Sequence, residues 1–199
     1  MWKFLRRDKI YAERKPSGAK GIKQAAPQEG TMERMRIRPY RSTDCENIKK
    51  WISDEESHMK WCANFLPFRF TTEEFDRCLE EGWEKWGEMG YTATDEKGCP
   101  VGFFKMFVNH EENTGFFKCI IVDGTQRGVG LGRRMLDKAV KYAFEVADVD
   151  EVRLIVFDDN PAAVSCYAKV GFAAEATLEP FEWNGKKWGR TRLLIKKDK

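Results

Sequence analysis

Three alternate glycines, Gly128, Gly130 and Gly132, stand in the stretch VDGTQRGVGLGRRMLDKAV, between an apolar run and a run patterned like a helix. A glycine inside a regular element costs roughly 0.5 to 1 kcal/mol relative to alanine, so three at one helix mouth mark a geometric or binding requirement. Spacing excludes two phosphate-binding signatures. The dinucleotide signature G-x-G-x-x-G needs a glycine three residues after Gly130, where Arg133 stands, and the P-loop needs G-K-(S/T), which does not occur. What remains is Arg127-Gly128-Val129-Gly130-Leu131-Gly132 at a helix N-terminus, where the first four backbone donors lack partners within the helix. Such a loop is a cradle for an anion, and Arg127 and Arg133 add positive charge to it.

The elements around this loop alternate in a readable order. MRIRPYRSTDCENIKKWI starts as a short strand at Met35 to Arg38; Thr43 and Glu46, at capping-box spacing, then precede the stripe Ile48, Trp51, Ile52. After the connector WCANFLPFRF, a second capping box at Thr71 and Glu74 predicts a helix with Phe75, Leu79, Trp83 and Trp86 on one face. YTATD, VGFFKMFV and GFFKCIIV read as strands joined by turns short enough for antiparallel hairpins. The glycine loop leads into a helix from about Gly130 to Ala147 with Leu131, Leu136, Ala139, Val140, Ala143 and Phe144 on its apolar side. EVRLIVF is a strand, Asn160-Pro161 opens a short helix that Gly171 closes, and Asn184-Gly185 marks a terminal hairpin. The expected fold is α+β, a mostly antiparallel sheet flanked by helices in the order β-α-α-β-β-β-α-β-α-β-β.

Composition narrows the function classes. A chain of 199 residues with 42% apolar and 13% aromatic content has material for one sizeable domain. Six cysteines are scattered without a C-x-x-C pair and only two histidines accompany them, so neither zinc nor a disulfide framework is signalled. No apolar run approaches the roughly 18 residues of a membrane span, and MWKFLRRDKIY lacks the apolar core of a signal peptide, so a cytoplasmic location is expected. Residues 1 to 30 carry eight Lys/Arg against three acids, a balance of +5, which leaves −2 of the formal +3 for the remainder. We therefore divide the chain into a flexible basic extension, 1–31, and a folded domain, 32–199, whose slight acidity argues against nucleic-acid binding.

Two blocks carry a resemblance to a known family. Arg127, Gly130 and Gly132 match the motif (Q/R)-x-x-G-x-(G/A) of the GNAT superfamily of acyl-CoA-dependent N-acetyltransferases. Asn160, Ala163, Tyr167, Gly171 and Phe172 match that family's N-x-x-A-x-x-x-Y-x-x-x-G-F, in the family's order. The resemblance spans roughly residues 35 to 195; no metal is implied. It implies acetyl-CoA in a cleft between two splayed parallel strands, with its pyrophosphate on the amides of Arg127, Gly128, Val129, Gly130, Leu131 and Gly132 and with Arg133 nearby. It also implies backbone pairing of Ile120 and Val122 with the pantetheine arm, and a contact from Asn160. The terminal hairpin FEWNGKKW resembles that of the branch acetylating ribosomal-protein N-termini and spermidine, so the implied acceptor is a primary amine on a peptide, polyamine or metabolite.

Tyr167 is the expected catalytic residue and a further cofactor contact. When an amine attacks a thioester a thiolate leaves, and a phenol, protonated at neutral pH, is able to donate to that sulfur. Cys166 has no histidine placed to activate it and reads as a packed thiol rather than a nucleophile. The general base stays open: the strand before the loop has Lys118 and Cys119 where many family members carry a glutamate, and Asp158, Asp159, Glu55 and Glu56 are alternatives. Trp51, Trp61, Phe65, Phe68, Trp83, Trp183 and Trp188 are expected to gather on the acceptor side. A non-catalytic acyl-CoA sensor and a nucleic-acid module driven by the basic extension remain as rival readings. Oligomeric state is not legible, and a homodimer is left open.

Overall fold

The computed structural model describes residues 35–198 apart from Arg127. The extension assigned to residues 1–31 lies outside the described residues. The elements run β1 (Arg36–Pro39), α1 (Cys45–Trp51), α2 (Glu55–Cys62), α3 (Thr72–Trp86), β2 (Met89–Thr94), β3 (Pro100–Asn109), β4 (Thr114–Val122), α4 (Leu131–Glu145), β5 (Glu151–Phe157), α5 (Pro161–Val170), β6 (Ala173–Trp183) and β7 (Lys186–Lys196). All eleven expected elements are present, and α2 is an addition that lies mostly before the segment read as connector and overlaps it at Trp61 and Cys62.

The strands form one sheet in the order β1-β2-β3-β4-β5-β7-β6. Every neighbouring pair is antiparallel except β4 and β5, which α4 joins as a crossover. Alternation along β3 sends Phe104 and Met106 to one face and Phe103 to the other. The first face is covered by α4 and α5 around Phe117, Met135, Leu136 and Leu154, and the second by α1 to α3 around Ile48, Phe70 and Phe75. A third, smaller cluster of Met59, Phe157 and Trp188 ties α2 to the ends of β5 and the terminal hairpin.

Local signals place most of the helix ends. Thr71 accepts from the Glu74 N–H at 3.1 Å and Glu74 accepts from the Thr71 N–H at 2.7 Å, which completes the predicted box of α3. The box expected at Thr43 and Glu46 does not form. A 3₁₀ turn over Ser42–Asp44 replaces it, and the Asp44 carboxylate accepts from the Arg41 N–H at 3.0 Å. Asp44 wins because it is drawn onto the sheet edge, accepting from Arg38 at 2.7 and 2.8 Å and from Thr92 at 2.8 Å. On α3, Phe75 is buried but Trp83 and Trp86 are 57% and 70% exposed, because the last turn projects beyond the cluster under its start.

One buried charge cluster was not expected from sequence. Glu88, only 4% exposed, sits between Lys105 and Lys118, whose positions face each other across the β3–β4 hairpin. Burial alone would raise the Glu88 carboxyl, but hydrogen bonds from Lys105 and then Lys118 outweigh it and hold it below its ordinary value. Glu88→Gln leaves a buried Lys105 without its counter-charge and is expected to lower stability by about 3 kcal/mol, read as a shifted urea midpoint. A lowered folded pKa means this contribution is complete above the ordinary value of 4.5 and drains away as pH falls through the folded value. The gap between wild type and variant should therefore narrow in acid.

Candidate functional site

The parallel pairing of β4 and β5 covers only Thr114 to Phe117 against Glu151 to Leu154, although β4 continues to Val122 and β5 to Phe157. Past that point the two strands part. A bulge in β4 accounts for the separation: Lys118 pairs with Lys105 and Ile121 with Phe103, so Cys119 and Ile120 together oppose Phe104. Cys119 takes φ +51°, a left-handed conformation that costs a non-glycine residue roughly 1 to 2 kcal/mol. Its carbonyl accepts the indole N–H of Trp61 at 2.7 Å. Beyond the bulge, the Asp123 N–H donates to the Val101 carbonyl of β3 at 2.9 Å. Strand alternation then turns the N–H and C=O of Ile120 and Val122 the other way, into the opening. β4 and β5 thus part past Phe117, with Ile120 and Val122 on the segment of β4 that β5 leaves.

At the end of β4, the Asp123 carboxylate accepts from the Thr125 N–H at 2.9 Å, the Thr125 hydroxyl at 2.7 Å and the Gln126 amide at 2.8 Å, which closes a tight turn. The chain then passes through Gly128 at φ +83° and Gly130 at φ +77°, both with open space where a Cβ would stand. Gly130 caps α4 without any side-chain bond. Among the described residues, the N–H groups of Gly128, Val129, Gly130, Leu131, Gly132 and Arg133 find no protein acceptor. Gly132 has a different reason: its Cβ would lie 3.3 Å from the Cys166 sulfur, so its lack of a side chain lets α4 and α5 approach. Leu131 turns its side chain into the core while its amide stays at the helix mouth. Arg133 makes a loose, exposed contact of 3.7 Å with Asp137, and Arg127 lies outside the described residues.

Asn160 caps α5 by accepting from the Ala163 N–H at 3.2 Å, and its NH₂ group has no protein partner among the described residues. Tyr167 projects from the same helix into the main core, its ring 6.2 Å from that of Phe172 in an edge-on contact. Burial, then the adjacent Cys166, pushes the Tyr167 phenol well above its usual range, so it stays protonated. Burial likewise raises the Cys166 thiol, whose sulfur packs against Gly132.

The carboxylates considered as bases are mostly engaged. Lys60 binds Glu56 at 2.8 Å and Asp159 at 3.1 Å, and Asp158 accepts from Thr191 at 2.7 Å while its other oxygen lies over Gly189. The aromatic residues divide rather than gather. Trp61 packs among Phe70, Phe75 and Phe103, whereas Trp183 and Trp188 join Phe157 and Phe181; Phe65, Phe68 and Trp83 are exposed. A cleft of about 700 Å³ opens between the end of α1 and the start of α3, lined by Glu46, His58, Phe68 and Glu73 among others, none of them on β4, β5 or the glycine loop. Trp61 and Lys60 are the site-proximal residues that sequence reasoning missed in their roles, since both depend on α2. Among the described residues no helix is long and apolar enough to cross a membrane, and no group of three or more His, Cys, Asp or Glu stands ready to hold a metal.

Comparison with known proteins gives a consistent result. The model of the Acetyltransferase (GNAT) family matches residues 49–172. Spermidine N(1)-acetyltransferase of Vibrio cholerae serotype O1 is 29% identical over 133 residues, 64% of this chain and 76% of that protein. An N-terminal acetyltransferase complex ARD1 subunit homolog of Dictyostelium discoideum is 31% identical over 103 residues, 47% of this chain and 51% of its own. The crystal structure of a Vibrio cholerae spermidine N-acetyltransferase in complex with CoA and spermine superposes with a TM-score of 0.69 at 21% identity, covering 81% of this chain and 95% of that one. The family match spans well over half of the chain, and it takes in the split strands, the glycine loop and Tyr167. This protein belongs to the GNAT acetyltransferase family and is an acyl-CoA-dependent N-acetyltransferase.

Proposed function

We propose that the protein moves an acetyl group from acetyl-CoA to a primary amine by direct attack, with Tyr167 as the general acid. The observation that carries this reading is the parting of β4 from β5 past Phe117, next to a glycine loop whose amides find no acceptor among the described residues; the proposal adds Tyr167, a buried phenol that stays protonated, as the acid. Acetyl-CoA would supply an acyl group already activated as a thioester. Gly128 to Gly132 would hold its pyrophosphate through backbone N–H groups, assisted by the dipole of α4 and by Arg127 and Arg133. Ile120 and Val122 would pair with the pantetheine amides as a strand edge does, and the spare NH₂ of Asn160 would donate to the same arm. The amine lone pair forms the new C–N bond, the C–S bond breaks, and the Tyr167 proton passes to the departing sulfur. The ammonium proton leaves to solvent, since the nearby carboxylates are held by Lys60 and Thr191. Tyr167 recovers its proton before the next turnover.

The acceptor class is a small-molecule or peptide amine, in line with relatives named for spermidine and for protein N-termini. A panel of spermidine, an unblocked peptide and simple alkylamines, each with acetyl-CoA, is expected to release free thiol at a rate that depends on the amine. CoA binding by calorimetry with no thiol release from any amine would overturn this reading of the acceptor and the acid.

A further inference from the structure

Helix α2 touches both lips of the opening. On the β4 side the Trp61 indole donates to the Cys119 carbonyl at 2.7 Å, from a side chain stacked on Phe70 at 5.9 Å and packed against Phe75 and Phe103. On the β5 side Met59 is buried against Phe157, and Lys60 binds Asp159 just past the strand end. The residue that Trp61 holds is the one whose positive φ starts the bulge. A cysteine has little preference for that conformation, so its persistence needs an outside tie. Without the tie, the relaxed alternative is an ordinary extended residue at 119, a restored register with β3, and further pairing of β4 with β5 past Phe117. That pairing would consume the backbone groups of Ile120 and Val122.

Building on the function proposed above, we infer that Trp61 is a positioning residue: its N–H bond to the Cys119 carbonyl keeps the bulge open and the β4 edge free for acetyl-CoA. Trp61 touches no reacting atom in this assignment. It acts through Cys119, and α2 serves as the spacer that sets the width of the opening.

The test is calorimetric titration of CoA into wild type, Trp61→Phe, Cys119→Val and the double variant Trp61→Phe/Cys119→Gly, with steady-state kinetics on each. Trp61→Phe keeps the ring and loses the donor, so CoA affinity should fall about five- to tenfold, the range of one net hydrogen bond. The KM for acetyl-CoA should rise by a similar factor while kcat changes little. Cys119→Val, whose branched side chain resists positive φ, should show the same loss with Trp61 intact. Glycine at 119 adopts positive φ unaided, so the double variant should recover affinity. Wild-type affinity in both single variants, or a double variant no better than Trp61→Phe, would overturn the inference, whatever happens to melting temperature. Wild-type protein that binds no CoA would instead remove the functional reading on which the inference stands.

Discussion

Tyr167→Phe is expected to lower kcat by about 10² to 10⁴, the usual worth of a positioned general acid, while CoA affinity by calorimetry stays close to wild type. The separation follows from where the side chain lies. Its ring is buried beside Phe172 in the main core, and phenylalanine preserves that packing. Only the hydroxyl group is removed. Burial holds the phenol above its usual range, so no pH at which the protein works would deprotonate it, and the pH profile of kcat should show no alkaline limb from this residue. Wild-type turnover in the variant would end the assignment and leave proton delivery to solvent.

Gly130→Asp is expected to abolish measurable CoA binding without unfolding the domain. At φ +77° a side chain is strained, but aspartate and asparagine bear the left-handed conformation better than other residues, and no atom stands within 4 Å of the new Cβ. The decisive effect is charge. A carboxylate about 4 Å from a phosphate opposes it by about 4 kcal/mol at the dielectric of a protein surface, close to a thousandfold in affinity. Gly130→Asn has the same shape without the charge, and should keep binding to within about tenfold. Equal affinity in the aspartate variant would show that the pyrophosphate lies elsewhere; equal loss in both variants would assign the effect to backbone strain.

What was legible in the sequence was local chemistry. The Thr71–Glu74 box, the Asn160-Pro161 start, the Gly171 stop and the Asn184-Gly185 turn each depend on a few neighbouring residues, and each appears where its pattern put it. Helix α2 escaped because its eight residues hold only Met59, Trp61 and Cys62 as apolar members, too few to show a helical period in the sequence. It is covered by two separate clusters. Its own cap was present in the sequence, Asp54 accepting from the Ser57 N–H at 2.7 Å, but without a stripe behind it that signal stood alone. The glycine loop was legible in identity but only partly in cause. Gly128 and Gly130 answer to backbone angle, whereas Gly132 answers to a sulfur 34 residues away in the chain. The bulge left no trace, because cysteine is not a residue that announces positive φ. Glu88 was hidden for a similar reason: two lysines become partners only once their strands are in register.

The sheet is two antiparallel halves, each sewn by its own hairpins or long pairings, and only four residue pairs between Thr114–Phe117 and Glu151–Leu154 stitch the halves together. Parallel bonds are slanted and slightly weaker per residue, so torque between the halves is absorbed at this seam before any hairpin yields. The domain is therefore built like a book with a short spine, and past Phe117 and Leu154 the two covers are held in place by the layers packed on their faces rather than by the sheet itself.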